Sequence, residues 1–194
     1  MKWFERIFRQ KFPLATLTII KRRGCGGMDE LAIQTDWQRW LEDHAPKFLL
    51  FARQRARWEA DAQDLVQEAV VEAWQRQGDG APPPPALVFA TIHRRAIDRA
   101  RSEDRRTGRE QAVVEPQLES WFDTSVEDRE LNKLIQDGMN RLSGEYREVI
   151  TLKVWGDLTF AEIAEALGIP ANTAASRYRY GLAELRKLTK KVLT

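Results

Sequence analysis

The stretch from Thr159 to Lys187 carries side chains that can bond the edges of nucleic-acid bases. Its second half reads ANTAASRYRYGLAELRK and holds amide, hydroxyl, guanidinium and phenol groups. Such groups form hydrogen bonds with base edges and phosphate oxygens. The residues that we expect on its outward face are Asn172, Thr173, Ser176, Arg177 and Tyr180. The basic tail from Arg186 to Lys191 can hold backbone phosphate.

Two short helices around a tight turn would position these groups. Thr159 and Glu162 have the spacing of a capping box at the start of the first helix. Gly168 suits a left-handed position at its end, and Pro170 suits the first turn of the next helix. The residues expected to face inward on the second helix are Ala174, Tyr178, Gly181 and Leu185. This pattern is typical of a DNA-reading helix-turn-helix, although a helical hairpin that only packs would share it.

A strongly acidic helix is predicted upstream, in DAQDLVQEAVVEAWQR. From Asp61, the expected N-cap, to Arg76 it has four acids and one base. Helical spacing places its apolar residues on one stripe, which consists of Leu65, Val66, Ala69, Val70, Ala73 and Trp74. The residues expected on the opposite, solvent-facing side are Asp64, Gln67, Glu68 and Glu72.

The next predicted helix is basic. From Thr91 to Arg109 there are seven arginines against three acids. Four of them, at positions 94, 95, 99 and 101, form one basic face. Charge that is segregated in this way indicates different partners for different surfaces, although ordinary solvated helix faces can also produce it.

The chain as a whole is predicted to be all-α, because helical spacing is common and strand-like alternation is rare. Residues 1–28 are expected to be either a disordered extension or the product of a mis-called start codon. In the second case Met28 would be the true start. Two small helical domains are expected over residues 29–106 and 125–194, joined by a flexible linker over residues 107–124. In the first domain a helix is expected to begin after Thr35 or Asp36, and Pro46 is expected to interrupt it.

Composition argues against several kinds of protein. One cysteine allows no internal disulfide, and two histidines with one cysteine cannot form a typical zinc site. No apolar run approaches the roughly 20 residues of a membrane span. A Gly-rich phosphate loop, a metal cluster and a nucleophile–base pair are also missing from the sequence. We therefore expect a cytoplasmic protein with no cofactor, no metal, no enzymatic activity and no membrane partner.

Taken together, three of these segments resemble a known family, the bacterial RNA polymerase sigma factors of the extracytoplasmic-function type. DAQDLVQEAVVEAW is similar to the helix by which that family docks on the polymerase clamp. LVFATIHRRAIDRAR is similar to the helix that melts and reads the minus-ten promoter element. The segment from Leu142 to Lys187 is similar to the sigma-four domain, which reads the minus-thirty-five element. The resemblance covers about Asp36 to Leu188.

The resemblance implies a role for each surface. The implied core-polymerase contacts are Asp64, Leu65, Gln67 and Glu68. The implied minus-ten contacts are Arg94, Arg95, Arg99 and Arg101. The implied minus-thirty-five contacts are Asn172, Thr173, Ser176, Arg177 and Tyr180. The implied partners are core RNA polymerase, promoter DNA and an anti-sigma factor, and the loop from Gln77 to Pro85 occupies the place where the family captures a flipped base.

A second hypothesis is a stand-alone helix-turn-helix regulator whose first domain senses a ligand or dimerises. It would share the DNA reader but would need no acidic docking face. Binding to duplex DNA without any binding to core polymerase would favour it.

Overall fold

The computed structural model describes residues 27–77, 81–107 and 129–190, and these residues form helices and short connections without a strand. The helices in chain order are α1 Gly27–Arg53, α2 Glu59–Gln77, α3 Pro85–Thr107, α4 Arg129–Arg141, α5 Gly144–Val154, α6 Phe160–Leu167 and α7 Ala171–Lys190. The all-α prediction is confirmed. The predicted linker and the predicted N-terminal extension lie almost entirely outside the described residues.

Aromatic side chains organise the core of the first three helices. Phe48 and Phe51 of α1 meet Phe89 of α3 edge-on, with ring centroids 4.9 Å and 5.5 Å apart. The stripe predicted on α2 is buried, since Leu65 is 2% exposed and Val66 is fully buried. Because all three helices bury one face against the others, α2 and α3 are held side by side with their charged faces outward.

The predicted interruption at Pro46 is wrong, because α1 continues from Gly27 to Arg53 with Pro46 inside it. A proline in a helix costs about 3 kcal/mol through a lost hydrogen bond and a clash. Here Pro46 is exposed, whereas Ala45 and Phe48 are buried. An aromatic row spans the proline, since the ring of His44 stacks on Trp40 at 5.1 Å and on Phe48 at 6.0 Å. Packing on both sides of Pro46 therefore outweighs its local cost.

Two predicted helix starts also differ from the structure. α1 begins before Thr35 and Asp36, so neither residue is its N-cap. α2 begins at Glu59, which places Asp61 inside its first turn, where an acid is favourable beside the helix dipole. Arg53 at the end of α1 donates two hydrogen bonds to Glu59, at 2.8 Å and 2.9 Å. This bidentate pair joins the end of α1 to the start of α2.

The helix-turn-helix of α6 and α7 has the predicted local geometry. The Thr159 hydroxyl accepts from the Glu162 backbone N–H, and the Glu162 carboxylate accepts from the Thr159 backbone N–H, which completes the capping box. Gly168 ends α6 with φ of 66°, the left-handed conformation that favours glycine. Gly181 lets α7 approach α5, because a Cβ there would lie 2.9 Å from Ile150 Cδ1 and from Tyr146 Cβ.

The two predicted domains pack against each other in the structure. α6 lies on α3, and α5 lies on the end of α1. Leu50 of α1 is 6% exposed and packs in a cluster that otherwise belongs to the second domain, with Met139, Leu142 and Ile150. The first domain therefore contributes a side chain to the core of the second.

Polar contacts flank this apolar interface. The Gln54 side-chain amide donates to the Thr151 hydroxyl at 2.7 Å. Arg55 Nη2 lies 2.7 Å from Glu148 Oε1, and the Arg55 side chain is only 10% exposed. Burial lowers the pKa of Arg55 and raises that of Glu148, in each case against the attraction of the other group. The pair joins the connection after α1 to the middle of α5.

Candidate functional site

The outward face of α7 carries the groups predicted to contact DNA. Asn172 and Tyr180 are exposed, and Thr173 and Ser176 are half-buried. The inward stripe is also as predicted, because Ala174 is fully buried and Tyr178 packs edge-on against Phe160. The helix-turn-helix therefore presents a polar face to solvent while its apolar stripe seats it on α5 and α6.

Arg177 is less available than its neighbours on that face. Its Nη2 lies 2.9 Å from Glu145 Oε2 of α5, and the Arg177 side chain is 22% exposed. Glu145 is largely exposed, so this is a surface ion pair of the kind that contributes about 1 kcal/mol or less. A phosphate group can replace such a partner.

Arg179 is a cation on α7 that the sequence reasoning missed. Its guanidinium lies 4.9 Å from the centre of the Tyr180 ring, and its Nη2 donates to the Tyr180 hydroxyl at 3.1 Å. Both residues are exposed. Helical spacing could have found it, because Arg179 lies three residues after Ser176 on the outward side.

The four predicted polymerase contacts of α2 are divided between the surface and the core. Asp64, Gln67 and Glu68 are partly exposed, whereas the Leu65 side chain is 2% exposed. In this arrangement Leu65 cannot touch a partner protein, because α1 and α3 cover it. Leu65 instead packs α2 against α1 and α3, and this packing leaves Asp64, Gln67 and Glu68 on the outer side of the helix.

The acidic face of α2 and the basic face of α3 are paired with each other, although the sequence reasoning treated them as separate surfaces. Arg95 Nη1 lies 2.6 Å from Glu68 Oε2, and Arg99 Nη2 lies 2.9 Å from Glu68 Oε1. Arg95 Nε lies 2.8 Å from Glu72 Oε2, and Arg94 also pairs with Glu72. We call these five residues the α2–α3 ion-pair network.

Glu72 lies on the side of α2 opposite the apolar stripe, as predicted, but it is less exposed than that position suggests. Its side chain is 19% exposed because the arginines of α3 lie across it, and Arg76 adds a further ion pair at 2.8 Å. Burial raises the pKa of Glu72, but the hydrogen bond from Arg95 and the nearby guanidinium charges outweigh it, so the pKa lies below its usual value. The carboxylate is therefore ionised throughout the physiological range.

Other predicted features lie at the edges of this site. Arg101 is exposed further along α3. Part of the loop predicted to capture a base, residues 78–80, lies outside the described residues. In the part of the chain that the structure describes, no group of three or more His, Cys, Asp or Glu residues could hold a metal ion. No helix in these ranges is long and apolar enough to cross a bilayer.

Comparison with known proteins identifies both domains. Residues 40–106 match the family model for sigma-70 region 2, and residues 132–185 match the model for sigma-70 region 4. The ECF RNA polymerase sigma factor SigL of Mycobacterium tuberculosis is 32% identical over 153 residues, which cover 75% of this chain and 84% of that protein. The ECF sigma factor SigK of a Mycobacterium species is 30% identical over 132 residues, which cover 64% and 68%.

The chain belongs to the extracytoplasmic-function family of RNA polymerase sigma factors. It acts with core RNA polymerase and promoter DNA in transcription initiation. Sigma factors are non-catalytic initiation factors. The region 2 match accounts for the first domain, so the alternative of a regulator that acts without polymerase is not supported.

A solved structure has the same fold. It is the sigma factor RpoE of Bartonella quintana in complex with the anti-sigma factor NepR, with a TM-score of 0.59 and 22% identity. The similarity covers 80% of this chain and 97% of the RpoE chain. At this identity the comparison shows the fold alone.

Proposed function

We propose that this sigma factor distributes its contacts over three helices. The exposed side of α2, with Asp64, Gln67 and Glu68, docks on core polymerase. The arginines of α3 at positions 94, 95, 99 and 101 hold the promoter near the minus-ten element. The face of α7 with Asn172, Thr173, Ser176, Arg177 and Tyr180 reads the minus-thirty-five element.

The observation that carries this proposal is the packing of α2 against α3. Glu68 and Arg95 of neighbouring helices lie within 2.6 Å of each other, so an acidic and a basic surface meet along one groove. A protein partner on the acidic side and a nucleic-acid partner on the basic side would then lie next to each other. This is the arrangement that a promoter-specificity subunit needs, because polymerase and DNA must meet on it.

The closed packing of the two domains must change before both promoter elements are engaged. The two elements are separated by about 25 base pairs, or roughly 85 Å of duplex. A compact body of the size of the described residues has a radius of gyration of about 14 Å. The closed molecule is therefore too short to span both elements, and we infer that polymerase binds an open form.

The protein carries out binding and strand separation without covalent chemistry. It acts in the cytoplasm, where polymerase and promoter DNA are found. An anti-sigma protein holds it inactive; the RpoE structure with NepR supplies the analogy, and the domain interface of this chain is a surface that such a protein could stabilise.

Co-purification with core polymerase tests the docking assignment. Asp64→Arg should reduce the amount of core polymerase retained by the tagged full chain and should abolish promoter-specific transcripts. Asp43→Arg is the matched control, because Asp43 is also an exposed acid but lies on α1. Equal retention by both variants would contradict the docking assignment, and a wild-type chain that binds DNA but never core polymerase would contradict the whole proposal.

A further inference from the structure

Glu68 lies at the point where the acidic and basic surfaces meet. Its two oxygens are both occupied, one by Arg95 at 2.6 Å and the other by Arg99 at 2.9 Å. The same side chain is 43% exposed, so it is also accessible to a partner in solution. One carboxylate thus serves two surfaces to which different partners are assigned.

We propose that Glu68 couples polymerase docking to promoter contact. In the free sigma factor it neutralises Arg95 and Arg99 and so shields them from phosphate. When a cationic group of polymerase binds Glu68, Arg99 loses its carboxylate partner and Arg95 loses one of its two, so both guanidinium groups become available to DNA. This inference rests on the proposed docking role of α2.

Glu68 and Glu72 differ in exposure, and this difference indicates which of their contacts with the arginines a partner could displace. Glu72 is 19% exposed and is covered by the arginines, whereas Glu68 is 43% exposed. Arg95 bonds both acids, through Nη1 to Glu68 and through Nε to Glu72. When Glu68 is withdrawn, Glu72 still holds Arg95 in place on α3. Glu72 is therefore the positioning residue of the network, and Glu68 is its exchangeable partner.

The size of the coupling follows from the number of ion pairs that are exchanged. Two ion pairs between partly exposed side chains, at the usual strength of such pairs, correspond to roughly 2- to 30-fold in a binding constant. Coupling between two binding sites is reciprocal, so DNA contact should raise the affinity for polymerase by the same factor.

The experiment compares Glu68→Gln with Asp98→Asn in the full chain. Both variants remove one negative charge from the same groove, but among the described residues Asp98 forms no ion pair. The first readout is the affinity for a random-sequence duplex of about 20 base pairs at several salt concentrations. The second is the affinity of the labelled chain for core polymerase, and circular dichroism checks that both variants fold.

We expect Glu68→Gln to bind the duplex roughly 2- to 30-fold more tightly than wild type and to steepen the salt slope by about 0.9 for each arginine released. It should also bind core polymerase more weakly. Asp98→Asn should show a smaller gain in DNA affinity with an unchanged slope and unchanged polymerase binding. An equal gain in DNA affinity in both variants would overturn the proposal.

The test separates this inference from the docking assignment on which it rests. Asp64→Asn removes the charge of a docking residue without placing a cation one helical turn from Glu68. If Asp64→Asn weakens polymerase binding but Glu68→Gln leaves DNA affinity at the level of the control, the coupling fails and the docking role stands. If Glu68→Gln raises DNA affinity but neither variant weakens polymerase binding, the docking role fails, and the coupling falls with it.

Discussion

Leu50→Ala should shift the molecule toward an open form without unfolding either domain. Leu50 is 6% exposed and contacts a cluster of the second domain, in which Met139 is fully buried and Ile150 is 1% exposed. Once the domains separate, this side chain returns to solvent. Its truncation therefore weakens the contact between the domains more than it weakens the core of the first domain.

The magnitude follows from the buried side chain. Replacing a buried leucine by alanine costs about 2–5 kcal/mol, through lost burial and the cavity that remains. A loss of about 3 kcal/mol shifts the equilibrium between closed and open forms by roughly 150-fold. The packing of α6 on α3 and the contacts of Gln54 and Arg55 still hold the interface in this variant. The difference from wild type should therefore be largest in low urea, which weakens the remaining apolar contacts.

Small-angle scattering and circular dichroism together measure this effect. Opening should raise the radius of gyration above the wild-type value while the helix content stays constant. Leu65→Ala is the matched control, because Leu65 is a buried leucine of α2, which packs on α1 and α3 of the first domain. The reasoning is refuted if both variants lose thermal stability equally while the radius of Leu50→Ala stays at the wild-type value.

Three further predictions concern single residues. Thr159→Ala removes the side-chain half of the capping box and should lower the free energy of unfolding by about 1 kcal/mol in chemical denaturation, whereas Thr159→Ser should restore most of it. Gly181→Ala places a Cβ 2.9 Å from Tyr146 Cβ and should cost about 1–3 kcal/mol in the same assay; an unchanged value would mean that α7 can shift away from α5. Burial and the charge of Arg55 lower the pKa of His93 to about 4. As the pH falls, His93 is therefore protonated in the unfolded chain before it is protonated in the folded one. The free energy of unfolding of the wild type should drop by up to about 2 kcal/mol between about pH 7.5 and about pH 5 for this reason. A stably folded His93→Gln should lack this drop.

Local features of the helix-turn-helix could be predicted because they depend on neighbours in the chain. The capping box at Thr159 needs only a hydroxyl and a carboxylate three residues apart. Gly168 adopts the left-handed conformation at low cost because glycine has no Cβ. The buried stripe of α2 follows from the period of the helix, which places Leu65 and Val66 on its inner side.

Predictions failed where distant contacts outweigh local preference. Pro46 favours a helix end, but His44 and Phe48 stack across it and the helix continues. Glu72 looked like a solvent-facing acid on its own helix. It is covered because arginines more than twenty residues later fold over it.

By itself, the sequence determined the helices, their apolar stripes and the local geometry of the DNA-reading hairpin, because helix period and capping act over a few residues. Its motifs also indicated the family. Only the tertiary structure decided that Glu68 joins the acidic face to Arg95 and Arg99, and that Leu50 completes the core of the second domain. Both contacts join residues far apart in the chain, and no periodic pattern encodes which charged or apolar side chains meet across two packed helices.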